Sequence, residues 1–208
     1  MFKVIPFQKS NVKNIKDADI FEIWFDRIDS KHYPEIFKKI KKPIIYKIEK
    51  INNKNLKNLK KNIIKKSKYI DIDLNASVKA EKDLIKKIKK INPKIKVIIS
   101  YHNFKETPYE KDLKKIYRKM LSQKADIVKF ATQAKKISDS FRMLDFLSSL
   151  NGKKQKAICL CMGNEGLLTR ISGHLFGNYL MYFSMDEKSK TAEGQITIKK
   201  FKKFTNES

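Results

Sequence analysis

A lysine and a histidine stand at matching places on two consecutive strand-like runs of this chain. Ser100-Tyr101-His102-Asn103-Phe104 closes the apolar run that begins at Lys96, which puts His102 at a strand's C-terminal edge. In the next such run Lys129 interrupts the otherwise apolar segment from Ile127 to Ala131. A lysine in a buried strand loses much of its hydration energy unless it deprotonates or finds a partner. A neutral amine beside an imidazole suits Schiff-base chemistry on a carbonyl substrate. Taken alone, such a lysine reads as a snorkelling side chain or as half of a buried ion pair. The matched histidine turns the reading toward chemistry.

Elements that would position the pair recur along the whole chain. Strand candidates are Phe2–Phe7, Asp19–Asp26, Pro43–Ile48, Tyr69–Leu74, Lys96–Tyr101, Asp126–Ala131, Lys156–Met162 and Tyr179–Ser184. Each is short, nearly apolar throughout and rich in Ile, Val, Tyr or Phe, the signature of parallel strands buried on both faces. Helical spacing fills the intervals: Leu56, Leu59, Ile63 and Ile64; Leu84, Ile85, Ile88 and Ile91; Leu113, Ile116, Tyr117 and Met120; Ile137, Phe141, Leu144 and Leu147. Ser138 and Asp139 are placed to start the last of these helices, and Asn151-Gly152 to end it. Eight strand–helix units without a Pro-, Gly- or Ser-rich linker predict an α/β fold, a single compact (β/α)8 TIM barrel over residues 1–208, with a minimal first helix around Val12–Ala18. No Gly-rich phosphate loop follows the first strand, which disfavours an open doubly wound sheet.

The bulk numbers set bounds. At 208 residues and 41% hydrophobic content the chain can bury a single sizeable core. Its formal net charge of +26 comes mostly from lysines spread over helical faces, as at Lys86-Lys87 and Lys114-Lys115. Arginine and exposed aromatics do not interleave with them, so only non-specific, salt-sensitive nucleic-acid binding is expected. Cys159 and Cys161 lie two apart on one strand face, poorly placed for a disulfide and without further ligands for a metal. They read as small buried hydrophobes of a reduced compartment. No run reaches membrane-span length and the start reads as a strand, so a cytoplasmic protein is expected.

Several stretches, taken in order, resemble type I 3-dehydroquinate dehydratase, a shikimate-pathway (aromatic amino acid biosynthesis) lyase on a (β/α)8 barrel. They are Phe21-Glu22-Ile23-Trp24-Phe25-Asp26, Tyr69-Ile70-Asp71-Ile72-Asp73, Ser100–Phe104 with Thr107-Pro108, and Ala125-Asp126-Ile127-Val128-Lys129. Further on come Met162-Gly163-Asn164-Glu165-Gly166, Thr169-Arg170, Leu175-Phe176-Gly177 and Ala192-Glu193-Gly194-Gln195-Ile196. The likeness spans nearly the whole chain and is most specific from residue 96 onward.

The resemblance implies that Lys129, on the sixth strand, forms an imine with the C3 ketone of 3-dehydroquinate. It implies that His102, on the fifth, takes the C2 proton and helps the C1 hydroxyl depart, giving 3-dehydroshikimate and water. Arg170 matches the group that grips the substrate carboxylate, a task that suits a planar fork better than an ammonium. Thr191 and Gln195 match polar groups on the lid loop after the eighth strand, and Glu22 matches a carboxylate that meets substrate hydroxyls. For Glu22 a structural buried acid is an equal reading. No metal and no cofactor is called for, because the lysine itself supplies the electron sink. The resemblance also points to a homodimer. Asp71 and Asp73 are placed to hold the lysine–histidine region by hydrogen bonds, or to pair inside the barrel; His32 and His174 read as surface or packing residues.

The first half departs from the family pattern. Trp24 stands where an arginine is usual. Glu49 falls at the arginine of a Thr-x-Arg strand end, and Asn53 lies in what is usually a Glu-Gly-Gly loop. Lys47 and Lys50 are the nearby cations that would have to stand in. Beside 3-dehydroquinate dehydration, two alternatives follow: a divergent barrel with altered or lost activity on another oxo acid, and a basic, non-catalytic polyanion binder. His102, Lys129, Arg170 and Gln195 in register argue against the binder.

Overall fold

Eight runs of mainly Ile, Val, Tyr and Phe form one sheet of parallel strands in the computed structural model, which describes residues 2–9, 15–48, 61–75 and 78–205. The strands are β1 Phe2–Phe7, β2 Ile20–Ile23, β3 Ile44–Ile48, β4 Tyr69–Asp73, β5 Lys96–Asn103, β6 Ile127–Gln133, β7 Ala157–Met162 and β8 Leu180–Tyr182. Their order, β7-β6-β5-β4-β3-β2-β1-β8, curls the sheet into the expected barrel, because the first strand pairs with the last at Phe2↔Leu180 through Val4↔Tyr182. Helices α1 Tyr33–Lys39, α2 Lys61–Lys66, α3 Val78–Ile91, α4 Glu110–Ser122, α5 Ile137–Gly152, α6 Leu167–Ser172 and α7 Ile198–Thr205 occupy the intervals.

The remaining seam, between β7 and β8, closes differently. Tyr179 N–H donates to Ala157 O (2.8 Å). The buried Asn178 side chain then imitates a strand: its Oδ1 accepts from Cys159 N–H (3.0 Å) and its Nδ2 donates to Cys159 O (3.2 Å). One amide thereby satisfies two buried backbone groups that a ladder would otherwise have to reach.

The strands also explain the layers inside the barrel. Ile20, Ile45, Tyr69, Ile98, Ile127, Ile158 and Leu180 belong to one apolar cluster that forms the floor. Side chains repeat every two residues on one strand face. One step toward the C-terminal ends therefore come Glu22, Lys47, Asp71, Ser100, Lys129, Leu160 and Tyr182, a charged layer above an oily one. The opposite strand faces pack against the helices, with Phe21, Phe130, Phe146, Phe183 and Phe201 among the largest buried side chains.

Some elements differ from expectation. Residues 12–14 lie outside the described residues and 15–18 form a turn, so no described helix follows β1. The second strand stops at Ile23, and Phe25–Arg27 forms a single 3-10 turn that aims Trp24 across the barrel mouth. On α5 the predicted stripe is rotated: Ile137 and Phe141 are 48% and 58% exposed, while Ser140, Met143, Phe146 and Leu150 are buried with Leu144 and Leu147. The Ser140 hydroxyl draws that face inward by donating to Glu165 O (2.5 Å). Asp139 does start this helix, accepting from Lys135 and Lys136 N–H. Gly152 falls within its last turn, and Lys154 takes the left-handed conformation beyond it. Glu49, Lys50, Asn53, Leu56 and Leu59 lie outside the described residues.

Candidate active site

Six of the eight strands, all but β3 and β4, lend side chains to a cavity of about 100 Å³ at their C-terminal ends. At its base lies Lys129, 4% exposed on β6. Its Nζ donates to Asp71 Oδ2 (2.8 Å), Glu22 Oε2 (3.1 Å) and Tyr182 Oη (3.0 Å), and the Tyr182 hydroxyl in turn donates to Glu22 Oε2 (2.7 Å). Burial works against the ammonium, but the Asp71 and Glu22 carboxylates outweigh it and hold the lysine's pKa well above its ordinary value. In the resting site Lys129 is therefore a partnered cation, and it becomes a nucleophile only after releasing a proton.

His102 lies one strand over and lines the same cavity. Its Nδ1 sits 2.8 Å from Asp73 Oδ2, and Asp73 is itself fixed by Asn75 N–H (2.9 Å). A carboxylate partner assigns the proton to Nδ1 and leaves the Nε2 lone pair for a ligand. Burial lowers the imidazole's pKa, assisted by the charges of Lys47 and Lys129 and opposed by the Asp73 hydrogen bond. The ring is thus a neutral base at pH 7, stacked near-parallel to Phe104 (6.2 Å, 12°).

Arg170 reaches the cavity from the last turn of α6 and is 3% exposed. The local fold holds it through Cys161, whose N–H donates to Thr169 Oγ1 (2.8 Å) and whose carbonyl accepts from Arg170 Nε (3.1 Å). The guanidinium's other contact is a long one, Nη2 to Glu193 O (3.4 Å). Burial pushes the pKa of Arg170 down to about 10, so it is still charged at pH 7. Among the described residues no carboxylate pairs with it. A buried guanidinium without an acid partner is a prepared anion site.

The loop after β8 lies over this point. Gly194 has a positive φ of 72°, and a Cβ there would collide with the Gly163 carbonyl, so only glycine lets this loop lie against the one after β7. Gln195 is buried, with Oε1 accepting from Thr191 N–H (2.8 Å) and Thr191 Oγ1 (3.2 Å). Among the described residues Gln195 Nε2 has no acceptor, which leaves it for a ligand. Both residues line the cavity.

All six predicted site residues thus line one cavity. Glu22 is a buried acid that also lines the cavity, with Oε1 taken by Trp24 Nε1–H (3.1 Å). Trp24 also stacks under the Arg27 guanidinium at 4.2 Å. Lys47 does not stand in for a substrate-facing arginine, since it points into the charged layer and lines no part of the cavity. Tyr182 and Ser100 are members to which sequence reasoning gave no role, and Lys47 was read only as a stand-in cation. Lys47 carried the same signal as Lys129, a lysine inside an apolar strand, and Tyr182 shared a face with Leu180. Both cysteines are buried free thiols. Among the described residues no cluster of metal-ligating side chains occurs, and no helix is long and apolar enough to cross a membrane.

Comparison with known proteins gives a consistent picture. The family model for type I 3-dehydroquinase matches residues 7–208. A 3-dehydroquinate dehydratase of Methanocaldococcus jannaschii is 36% identical over 205 residues, covering 94% of this chain and 90% of its own. Its counterpart in Methanococcus maripaludis is 35% identical over 199 residues, with 91% and 88% covered. In fold, the chain superposes on the type I 3-dehydroquinate dehydratase of Clostridium difficile with a TM-score of 0.83 at 20% identity, covering 99% of this chain and 90% of that one. That crystal structure carries covalently modified comenic acid.

Proposed function

Because the chain belongs to the type I 3-dehydroquinase family, we propose that it dehydrates 3-dehydroquinate through an imine on Lys129. The overall reaction is that of a carbon–oxygen hydro-lyase. Lys129 gives up its proton within the charged layer, and its neutral Nζ adds to the C3 ketone. Loss of water from the resulting carbinolamine leaves a protonated imine. That cation draws electrons from the C2–H bond, and His102 Nε2 takes the proton to give an enamine. The enamine expels the C1 hydroxyl, which leaves as water with the proton His102 now carries. Hydrolysis of the remaining imine releases 3-dehydroshikimate and restores the amine.

The observation that carries this reading is a buried lysine and a neutral histidine in one cavity with an acid-free guanidinium. Arg170 would take the substrate carboxylate, Gln195 and Thr191 would close over it, and Glu22 would meet a hydroxyl with its remaining lone pair. Borohydride reduction in the presence of 3-dehydroquinate, followed by peptide mass spectrometry, tests the mechanism. A reduced adduct on Lys129 is expected. An unmodified protein beside a reactive control enzyme would remove the imine path for this substrate.

Losing two charge-assisted hydrogen bonds costs about 3 kcal/mol. Arg170→Ala should therefore raise KM roughly 10²-fold, whereas Lys86→Ala on an exposed helix face should leave KM nearly unchanged. Equal effects in steady-state kinetics would count against the carboxylate role.

The assembly we propose is a homodimer, supported by Ile137 and Phe141, exposed one turn apart on α5. Sedimentation showing only monomer at micromolar concentration would refute it. A cytoplasmic location is supported by two buried free thiols, and cell fractionation tests it.

A further inference from the structure

The charged layer holds a second lysine that this reaction path leaves unused. Lys47, on β3, is 3% exposed, and its Nζ donates to Asp71 Oδ1 (2.8 Å) and Ser100 Oγ (2.9 Å). The other oxygen of the same carboxylate accepts from Lys129 (2.8 Å). Asp71 is thus a bridge between two ammonium groups, with Ser100 Oγ–H also donating to Oδ1 (2.6 Å). Lys47 lines no part of the cavity. Stability alone is a weak reason for it, because buried ion pairs are often replaced by apolar side chains without loss.

We infer that Lys47 is a positioning residue for the reaction: by sharing Asp71 it loosens that carboxylate's hold on Lys129 and so makes the nucleophile's proton easier to release. The inference rests on the imine reading above. The groups facing this point are Glu22 from β2, Asp71 and Asp73 from β4, Ser100 and His102 from β5, Lys129 from β6 and Tyr182 from β8. With both lysines charged, the Glu22 and Asp71 carboxylates are balanced. When Lys129 becomes neutral, one carboxylate is left without a counter-charge if Lys47 is present, and two if it is not. The second situation opposes deprotonation. The same cation also holds the Asp71 carboxyl below its usual range, together with Lys129 and against burial, and it helps keep His102 neutral.

Removing Lys47 should therefore displace the pH dependence of the reaction rather than scale it. In Lys47→Met the acid limb of kcat/KM is expected to move to higher pH by about one unit, the effect of deleting one like charge at close range. Activity at pH 7 falls about tenfold with that shift and returns on raising the pH. A purely structural lysine would lower kcat/KM by one factor at every pH. Should Lys47→Met fail to fold, Lys47→Gln removes the same charge while keeping an amide donor for Asp71, and it should raise the limb likewise. Limbs that coincide within a few tenths of a unit would overturn the inference. Borohydride trapping on the wild-type protein separates the two levels: without an adduct on Lys129 the imine reading fails and this inference with it. An adduct with an unmoved limb refutes Lys47 alone.

Discussion

Lys129→Met should lose turnover by roughly 10⁵-fold or more, the scale on which removing a covalent nucleophile acts, and should give no borohydride adduct. The substitution keeps the length of the side chain and removes the amine. It leaves Asp71 paired with Lys47 and Ser100, and Glu22 bonded to Trp24 and Tyr182. The barrel should therefore still fold, with a lowered Tm because Glu22 has lost its buried counter-charge. Lys129→Arg separates charge from nucleophilicity. It restores a cation to the layer but cannot form the imine, so it should recover stability and not turnover. Activity near wild type in Lys129→Met would remove covalent catalysis from this site altogether.

His102→Ala should cost about 10²–10⁴ in kcat, the usual worth of a positioned acid–base group, while Lys129 still forms its imine. Reduced adduct should then accumulate to at least the wild-type level, because formation continues and the following proton transfer stalls. The pairing of slow turnover with persistent trapping is the signature that separates His102 from Lys129. Failure of His102→Ala to trap substrate would move the histidine's role forward, into building the imine. Asp73→Asn tests the orientation of the ring: it keeps the contact to Nδ1 but permits the other tautomer, and should reduce kcat without abolishing trapping.

Most of the barrel was legible because its strands are buried on both faces, so continuous apolar runs marked them almost residue for residue. Helix faces were less so. On α5 two large hydrophobes, Ile137 and Phe141, completed a convincing stripe, yet the buried face is defined by Ser140 and its bond to Glu165 O, which no hydrophobic count records. In the site, Lys129 and His102 announced themselves by being polar within or at the end of apolar runs, while Arg170 came from the family resemblance. Lys47 carried the same mark as Lys129, but its role, like that of Tyr182, lies in inter-strand register. Lys47 stands opposite Asp71 on the neighbouring strand, and Tyr182 meets Glu22 from across 160 residues of sequence. Trp24 stands where an arginine is usual, and its indole donates to the second oxygen of Glu22, a contact that only the fold shows.

The pairing of β1 with β8 bears on how the chain is made. During synthesis the first seven strands can emerge and align, but until Leu180–Tyr182 leaves the ribosome β1 has one ladder instead of two. A nascent chain at that stage carries open edges at both ends of its sheet, at β1 and at β7, the geometry that invites pairing with a neighbour. Lys129 at that stage also lacks the Tyr182 hydroxyl. Like charge on the lysines spread over the helices opposes such pairing between copies of the chain.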